Sequence, residues 1–357
     1  MNDKAKLLWD ILQENYCNLL QQNKIGNIQH GLTLPILYDY SIEELFHYTN
    51  LPTLFDMLES DSIWLSGLRF SNDESDETIL GKNWLYEHNY IGDNFIFCLT
   101  KEKDRLSQWR GYCQNGGASI GFDMFHIAEY SVLHSDSDIT KKHKDVIAIP
   151  LPVLYADNER EAKAIIAKID ELICKQSSKY SQDINIYDFV PYIKNSAFAE
   201  EQEFRLKMSN TNNELSNCIR FRKLFNGTRL PYIVIKSGCI DETHDNFIDC
   251  SSNNIKSIVD SRTHDGHIII PTCANQSDLY FNVRNYIKEK NEMTLNNSKI
   301  KIFCSGHLPI RSIKIAPMSQ QSRTKEIVNR FCQSKYWLKD VEVTISDIPF
   351  VPSINIQ

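Results

Sequence analysis

None of the 10 cysteines forms a C-x-x-C pair with another. Scattered thiols of this kind read as reduced and intracellular, without zinc-type pairing. The only tight Cys/His pair is Cys304-Ser-Gly-His307, and no second pair at zinc spacing accompanies it, so no metal is expected. No apolar run approaches the ~20 residues that a membrane-spanning helix needs. The opening Met-Asn-Asp-Lys-Ala-Lys lacks the apolar stretch of an export signal. Together these absences predict a cytoplasmic protein with no membrane partner. A G-x-S-x-G element, an internal repeat and a low-complexity tract are also missing, and Gly116-Gly117 is too short and wrongly spaced for a phosphate-cradling loop. Positive charge is in deficit: the formal net charge is −7, which gives no overall electrostatic reason to bind nucleic acid or an anionic membrane and leaves only a local patch to do so. What is present is 357 residues, 42% of them hydrophobic, enough for a substantial core.

Residues 4–22 place Leu8, Ile11, Leu12, Cys17 and Leu19 at helical spacing. This predicts an amphipathic arm over 1–40 for packing or dimerisation. A strand over Glu44 to Tyr48 then feeds a helix capped by Asn50, with Pro52 in its first turn and Leu54, Phe55 and Leu58 buried. A second strand, 62–66, leads into a polar loop that carries Arg69, Asn72, Asp73 and Glu77. NFIFCLT at 94–100 reads as a buried strand, and DRLSQWRGY as a short helix capped at Asp104. Asn115-Gly116-Gly117 turns the chain into the strand ASIGFDM. Pro150 and Pro152 push the strand 146–155 toward a sheet edge. A helix follows with Ala162, Ile165, Ile166, Ile169, Leu172 and Ile173 in register. Between 210 and 305 no domain boundary is legible, while the tail reads as strand, helix and strand.

Three constellations can carry chemistry. His47-Tyr48-Thr49 ends a strand just before a capped helix, where a histidine is either a satisfied structural group or part of a site. Glu201, Glu203 and Arg205 alternate with Gln202, Phe204 and Leu206, so a strand puts the charged groups on one face. That face is either a solvated edge or the lining of a pocket where a cation develops, as in cleavage of a nicotinamide–ribose bond. In Gln108-Trp109-Arg110-Gly111-Tyr112 the aromatics are either core residues or, with Arg110, a surface for phosphate and a flat base. Two weaker features are an acidic loop (Asp73, Glu74, Asp76, Glu77) that suggests a metal-dependent nuclease, and a tail cluster of Arg311, Lys314, Arg323, Lys325 and Arg330 that is either a solvated basic face or a nucleic-acid groove.

FHYT at 46–49, FSNDESDE at 70–77, FIFCLT at 95–100, SQWRGYCQNGGASIGFD at 107–123 and FAEEQEFRL at 198–206, in that order, resemble the bacterial domain of unknown function 2971 family. Ala316 and Val351 depart from its pattern in the tail, where a glycine and an arginine are usual. A remoter likeness, a strand-end His-x-Thr and a late strand Glu, is to the ADP-ribosyltransferase fold. That likeness implies NAD as substrate. His47 would bind a ribose hydroxyl, the backbone around Tyr48 and Thr49 the nicotinamide amide, and Tyr48 or Tyr112 would stack on a ring. Arg69 or Arg110 would pair with the pyrophosphate, Asn72 would sit at the rim, Glu203 would be the catalytic carboxylate and Glu201 its helper.

The resulting expectation is an α+β protein, an ADP-ribosyltransferase-like split mixed β-sheet with helical additions, forming a single domain over 41–357 with a divergent insertion around 210–305. Its expected activity is NAD-dependent ADP-ribosyl transfer to DNA, RNA or protein by a toxin or phage-defence effector, with an antitoxin or regulatory protein as partner. The alternative is a non-enzymatic nucleotide-sensing module.

Overall fold

The computed structural model describes residues 44–70, 79–81, 93–113, 115–123, 127, 147–176, 186–210, 216–223, 227–236, 255–260, 268–270, 275–290, 294–295, 298–304 and 306–349. The arm expected over 1–40, Asn72 and the acidic loop 73–77 lie outside these residues.

The described elements are, in chain order, β1 (Glu44–Asn50), α1 (Leu51–Ser60), β2 (Ser62–Gly67), β3 (Asp93–Thr100), α2 (Leu106–Tyr112) and β4 (Gly117–Asp123). There follow β5 (Ile147–Pro152), β6 (Leu154–Ala156), α3 (Glu159–Gln176), β7 (Ile193–Asn195), β8 (Glu203–Asn210), β9 (Arg220–Lys223) and β10 (Arg229–Lys236). The remainder comprises α4 (Ile255–Asp260), β11 (Ile268–Ile270), α5 (Gln276–Glu289), β12 (Thr294–Leu295), β13 (Ser298–Lys299), β14 (Ile302–Cys304), β15 (Ile310–Ile315), α6 (Gln321–Ser334) and β16 (Glu342–Ile345). The fold class is α+β. The chain divides into two compact units, each assembled from discontinuous segments. The first holds Ile63–Glu102 and Ser131–Ile235 with the start of β1, and the second Phe46–Ser62, Lys103–Tyr130 and Lys236–Gln357.

In the first unit β3 and β8 form an antiparallel ladder from Asp93↔Asn210 to Thr100↔Glu203. Phe95, Phe97 and Leu99 of β3, and Phe204, Leu206 and Met208 of β8, are all buried, as alternation on a covered sheet requires. Antiparallel β5 flanks β8 on the side away from β3, the edge position its prolines predict. On the other side β2, β10 and β9 follow in order. The apolar stripe of α3, Ala162, Ile165, Ile166 and Ile169, is buried as its spacing requires.

The second unit has a mixed sheet in the order β1, β4, β15, β16, with β4–β15 antiparallel and β15–β16 parallel. The Asn50 side chain accepts the Thr53 N–H at 2.9 Å, the N-cap that the sequence predicts for α1. The buried stripe of α1 is Leu54, Met57 and Leu58; Phe55 is half-buried and meets Phe331 edge-on at 5.5 Å. A second core gathers Ile258, Val259, Ile268, Ile270, Leu279, Tyr280, Val283 and Ile302 around α4, α5, β11 and β14.

Candidate functional site

In the first unit the charged residues at the start of β8 form a buried network. A 3-10 turn over Ser196–Glu201 is capped by Asn195 and closed by Gln202 in the left-handed region (φ 45). The strand therefore begins at Glu203, and Glu201 is not on its alternating face. Glu203 and Arg205 are: Arg205 Nε donates to Glu203 Oε1 at 2.6 Å and Nη2 to Oε2 at 3.0 Å, with Nη1 on the Pro191 carbonyl at 2.6 Å. Glu201 joins through Lys194 of β7, whose ammonium donates to Glu201 Oε2 at 2.8 Å and Glu203 Oε2 at 3.1 Å. The Glu203 side chain is 5% exposed and that of Glu201 17%, so Glu201 is the carboxylate nearer solvent.

Burial works against the charge on Glu203, but the Arg205 and Lys194 cations prevail and hold its pKa down at about 2. Two more groups close the network. Tyr155 accepts the Glu203 backbone N–H at 3.0 Å, and the Cys98 thiol is pushed up by burial and the Glu203 charge. Arg69 sits apart in the same unit, half-exposed, with Asp93 at 3.8 Å.

The second unit holds His47, Tyr48, Thr49, Arg110 and Tyr112. His47 is half-buried on β1. The ring of Tyr48 is turned into the core, edge-on to Trp109 at 4.5 Å, and its hydroxyl accepts the Arg105 N–H at 3.0 Å. Burial pushes the phenol pKa above its ordinary range. The stacking role implied for Tyr48 thus meets a buried ring, whereas Tyr112 is 41% exposed at the end of α2 beside exposed Arg110. The Thr49 carbonyl accepts the Cys113 thiol at 3.3 Å, so it is already engaged at the place where the resemblance implies an amide-binding backbone.

Asp104, expected to cap α2, does something else: Arg105 holds the N-cap position without a side-chain bond. The Asp104 carboxylate accepts Trp109 Nε1 at 2.7 Å, Ser346 Oγ at 2.6 Å and Lys314 Nζ at 3.1 Å. Burial opposes its ionisation, but the Ser346 and Trp109 hydrogen bonds and the Lys314 ammonium hold the pKa below the usual carboxylate range. Lys314 is therefore not part of a solvated basic face. Nor is Arg311, which is buried and pairs with Asp123 at 3.2 Å.

At Cys304-Ser-Gly-His307 the imidazole is committed to other groups. Nδ1 meets Asp61 Oδ2 at 2.7 Å, Nε2 meets the Tyr336 hydroxyl at 2.8 Å, and the ring stacks on Trp337 at 4.2 Å. Among the described residues no group of three or more His, Cys, Asp or Glu side chains is arranged to hold a metal.

Residues 108–206 match the sequence profile of a protein family of unknown function, DUF2971. No curated protein matches the chain, and no solved structure does. The DUF2971 segment carries most of α2, all of β4 and α3 and the first half of β8, so it includes Arg110, Tyr112, Glu201 and Glu203 but not His47, Thr49 or Arg69. It also includes Lys194 and Tyr155, which sequence reasoning missed. Lys194 had a signal: it stands between the buried Ile193 and the capping Asn195, where a cation needs a buried partner. Nothing near Asp104 in the sequence announces partners more than 200 residues away.

Proposed function

We propose that this chain is an NAD-consuming ADP-ribosyltransferase, a bacterial toxin or defence effector modifying nucleic acid or protein, with its carboxylate chemistry at Glu201. The observation that carries the reading is the Lys194 ammonium shared by Glu201 and Glu203 at the start of β8. Leaving nicotinamide makes the ribose an oxocarbenium-like cation, and a carboxylate fixed beforehand stabilises it without reorganisation. Glu203 has both oxygens bonded and lies in the core, so it acts as a positioning residue that keeps Lys194 and Arg205 in place. Glu201, whose Oε2 accepts from Lys194 and whose side chain lies nearer solvent, is the group that meets the substrate. His47 belongs to the other unit and is not used in this reading.

The test is nicotinamide release from NAD by the purified chain, with and without nucleic acid or cell lysate. Glu201→Gln is expected to abolish release at an unchanged melting temperature, with partial recovery in Glu201→Asp. Release that survives in Glu201→Gln removes Glu201 from the role.

A second reading, a nucleotide-binding module without turnover, is favoured by the same saturation of Glu203: no oxygen of that carboxylate is left for a substrate. It predicts saturable heat on calorimetric titration with NAD and no nicotinamide. Release of nicotinamide by the wild-type chain rules it out.

A further inference from the structure

The first unit carries a surface that neither reading of the Glu201 site uses. On β2, Trp64 and Ser66 are two residues apart and share a face. Trp64 meets Tyr232 of the neighbouring β10 at 5.2 Å with the rings tilted by 35°, which fixes Tyr232 on that face. In the β10–β9 ladder Tyr232 stands directly opposite Arg220, and Leu230 opposite Arg222. Arg222 Nη2 reaches back over the ribbon to Ser66 Oγ at 3.1 Å, which places Arg222 on the same face. The face of this ribbon is therefore a half-buried ring pair edged by two guanidinium groups, Arg220 exposed and Arg222 partly covered.

Arg222 is short of partners. Its buried Nε meets no acceptor, and no carboxylate among the described residues pairs with it. Burial pulls its guanidinium below the ordinary arginine range. A cation partly out of water is costly unless an anion reaches its outer N–H groups. On a chain of net charge −7 such a cationic edge is a local exception, and it is complementary to an anionic ligand.

We infer that the β2–β10–β9 face binds a single-stranded nucleic acid, with phosphates at Arg220 and Arg222 and a base on the Trp64–Tyr232 rings. The chemistry calls for a ligand that is anionic and planar at a spacing of a few ångströms. A single strand offers both its phosphates and its unstacked bases to such a face. A duplex offers its phosphates alone, its bases being stacked on one another. Phe221, 60% exposed, alternates to the opposite face of β9 and serves as the internal control.

The inference stands apart from the NAD reading, because binding is measured without NAD and fails or succeeds independently of nicotinamide release. The full-length chain is titrated into fluorescently labelled 20-nucleotide oligo(dT) and oligo(rU) (about the length several such modules span), and into a duplex of the same length. The expected result is salt-dependent binding of at least one single strand, weaker for duplex. Arg220→Ala should lower affinity about tenfold and reduce the slope of log affinity against log salt by about one. Tyr232→Ala should cost about tenfold or more through lost stacking, and Tyr232→Phe should recover most of it. Phe221→Ala should bind as the wild type does, and melting temperatures show which variants remain folded. Absence of binding to both single strands, equal binding of duplex, an Arg220→Ala protein that binds normally, or an equal loss in Phe221→Ala each overturns the inference.

Discussion

Removing the charge from Glu203 leaves Arg205 and Lys194 facing an amide in a site that is almost closed to water. Breaking a buried pair by deleting one partner costs on the order of 3–5 kcal/mol, because the remaining cations keep their desolvation penalty. Glu203→Gln is therefore expected to lower the urea midpoint strongly, whereas Glu201→Gln, nearer the surface, is expected to shift it little. The pH dependence has a definite sign. The carboxylate is held at about 2 in the folded chain against an ordinary value of 4.5, so its stabilisation is complete above the ordinary value and is lost as pH falls from 4.5 through about 2. The loss amounts to roughly 3 kcal/mol. Urea midpoints across that window should fall in the wild type and stay flatter in Glu203→Gln; parallel profiles would show that the carboxylate is not ionised in the folded chain. The sequence showed that Glu201, Glu203 and Arg205 belong together, but their burial depends on Lys194, which arrives on another strand. Side-chain alternation alone leaves a solvated edge and a pocket lining equally open.

At the scale of elements, α1 and α3 were legible because their signals are local: a capping Asn50, a proline in the first turn, and apolar spacing that closes on one face. The short α2 was harder, since Asp104 is drawn away from its cap by Trp109, Lys314 and Ser346. Two glycines around this helix separate local propensity from packing. A Cβ on Gly117, the first residue of β4, would run into the Thr49 carbonyl and crowd the Cys113 thiol. Gly117→Ala must part β4 from the end of β1 and is expected to cost about 1–3 kcal/mol. Gly111 in α2 has nothing within 4 Å of its Cβ position. Gly111→Ala should instead stabilise by up to about 1 kcal/mol through helix propensity. Denaturant melts of the two variants check both signs at once. Equal shifts of the same sign would mean that backbone propensity, not the approach to Thr49, governs this turn.

At the scale of the whole molecule, the order of segments along the chain does not follow their grouping in space. The chain passes between the units near 45, 62, 102, 130 and 235, so each unit is completed by residues far from its start. Local periodicity carries no information about such exchanges, which is why no boundary could be read between 210 and 305. The same layout decides what the family segment can do alone. Within 108–206, β4 lacks both of its sheet neighbours: β15 pairs with it from Ile310↔Phe122 to Ile315↔Ala118, and β1 flanks it on the other side. At the other end β8 lacks β3, which bonds to it along eight consecutive residue pairs. A fragment of 108–206 would expose these strands as unpaired edges and bare Phe204 and Leu206, which are buried in the full chain. Expressed alone, it is expected to aggregate or to remain without a cooperative thermal transition, and to show no near-ultraviolet dichroism from Trp109. The full-length chain should show both signals. A sharp unfolding transition in the isolated 108–206 fragment would mean that the DUF2971 segment is a folding unit in its own right, and that β3 and β15 add to a core already formed without them.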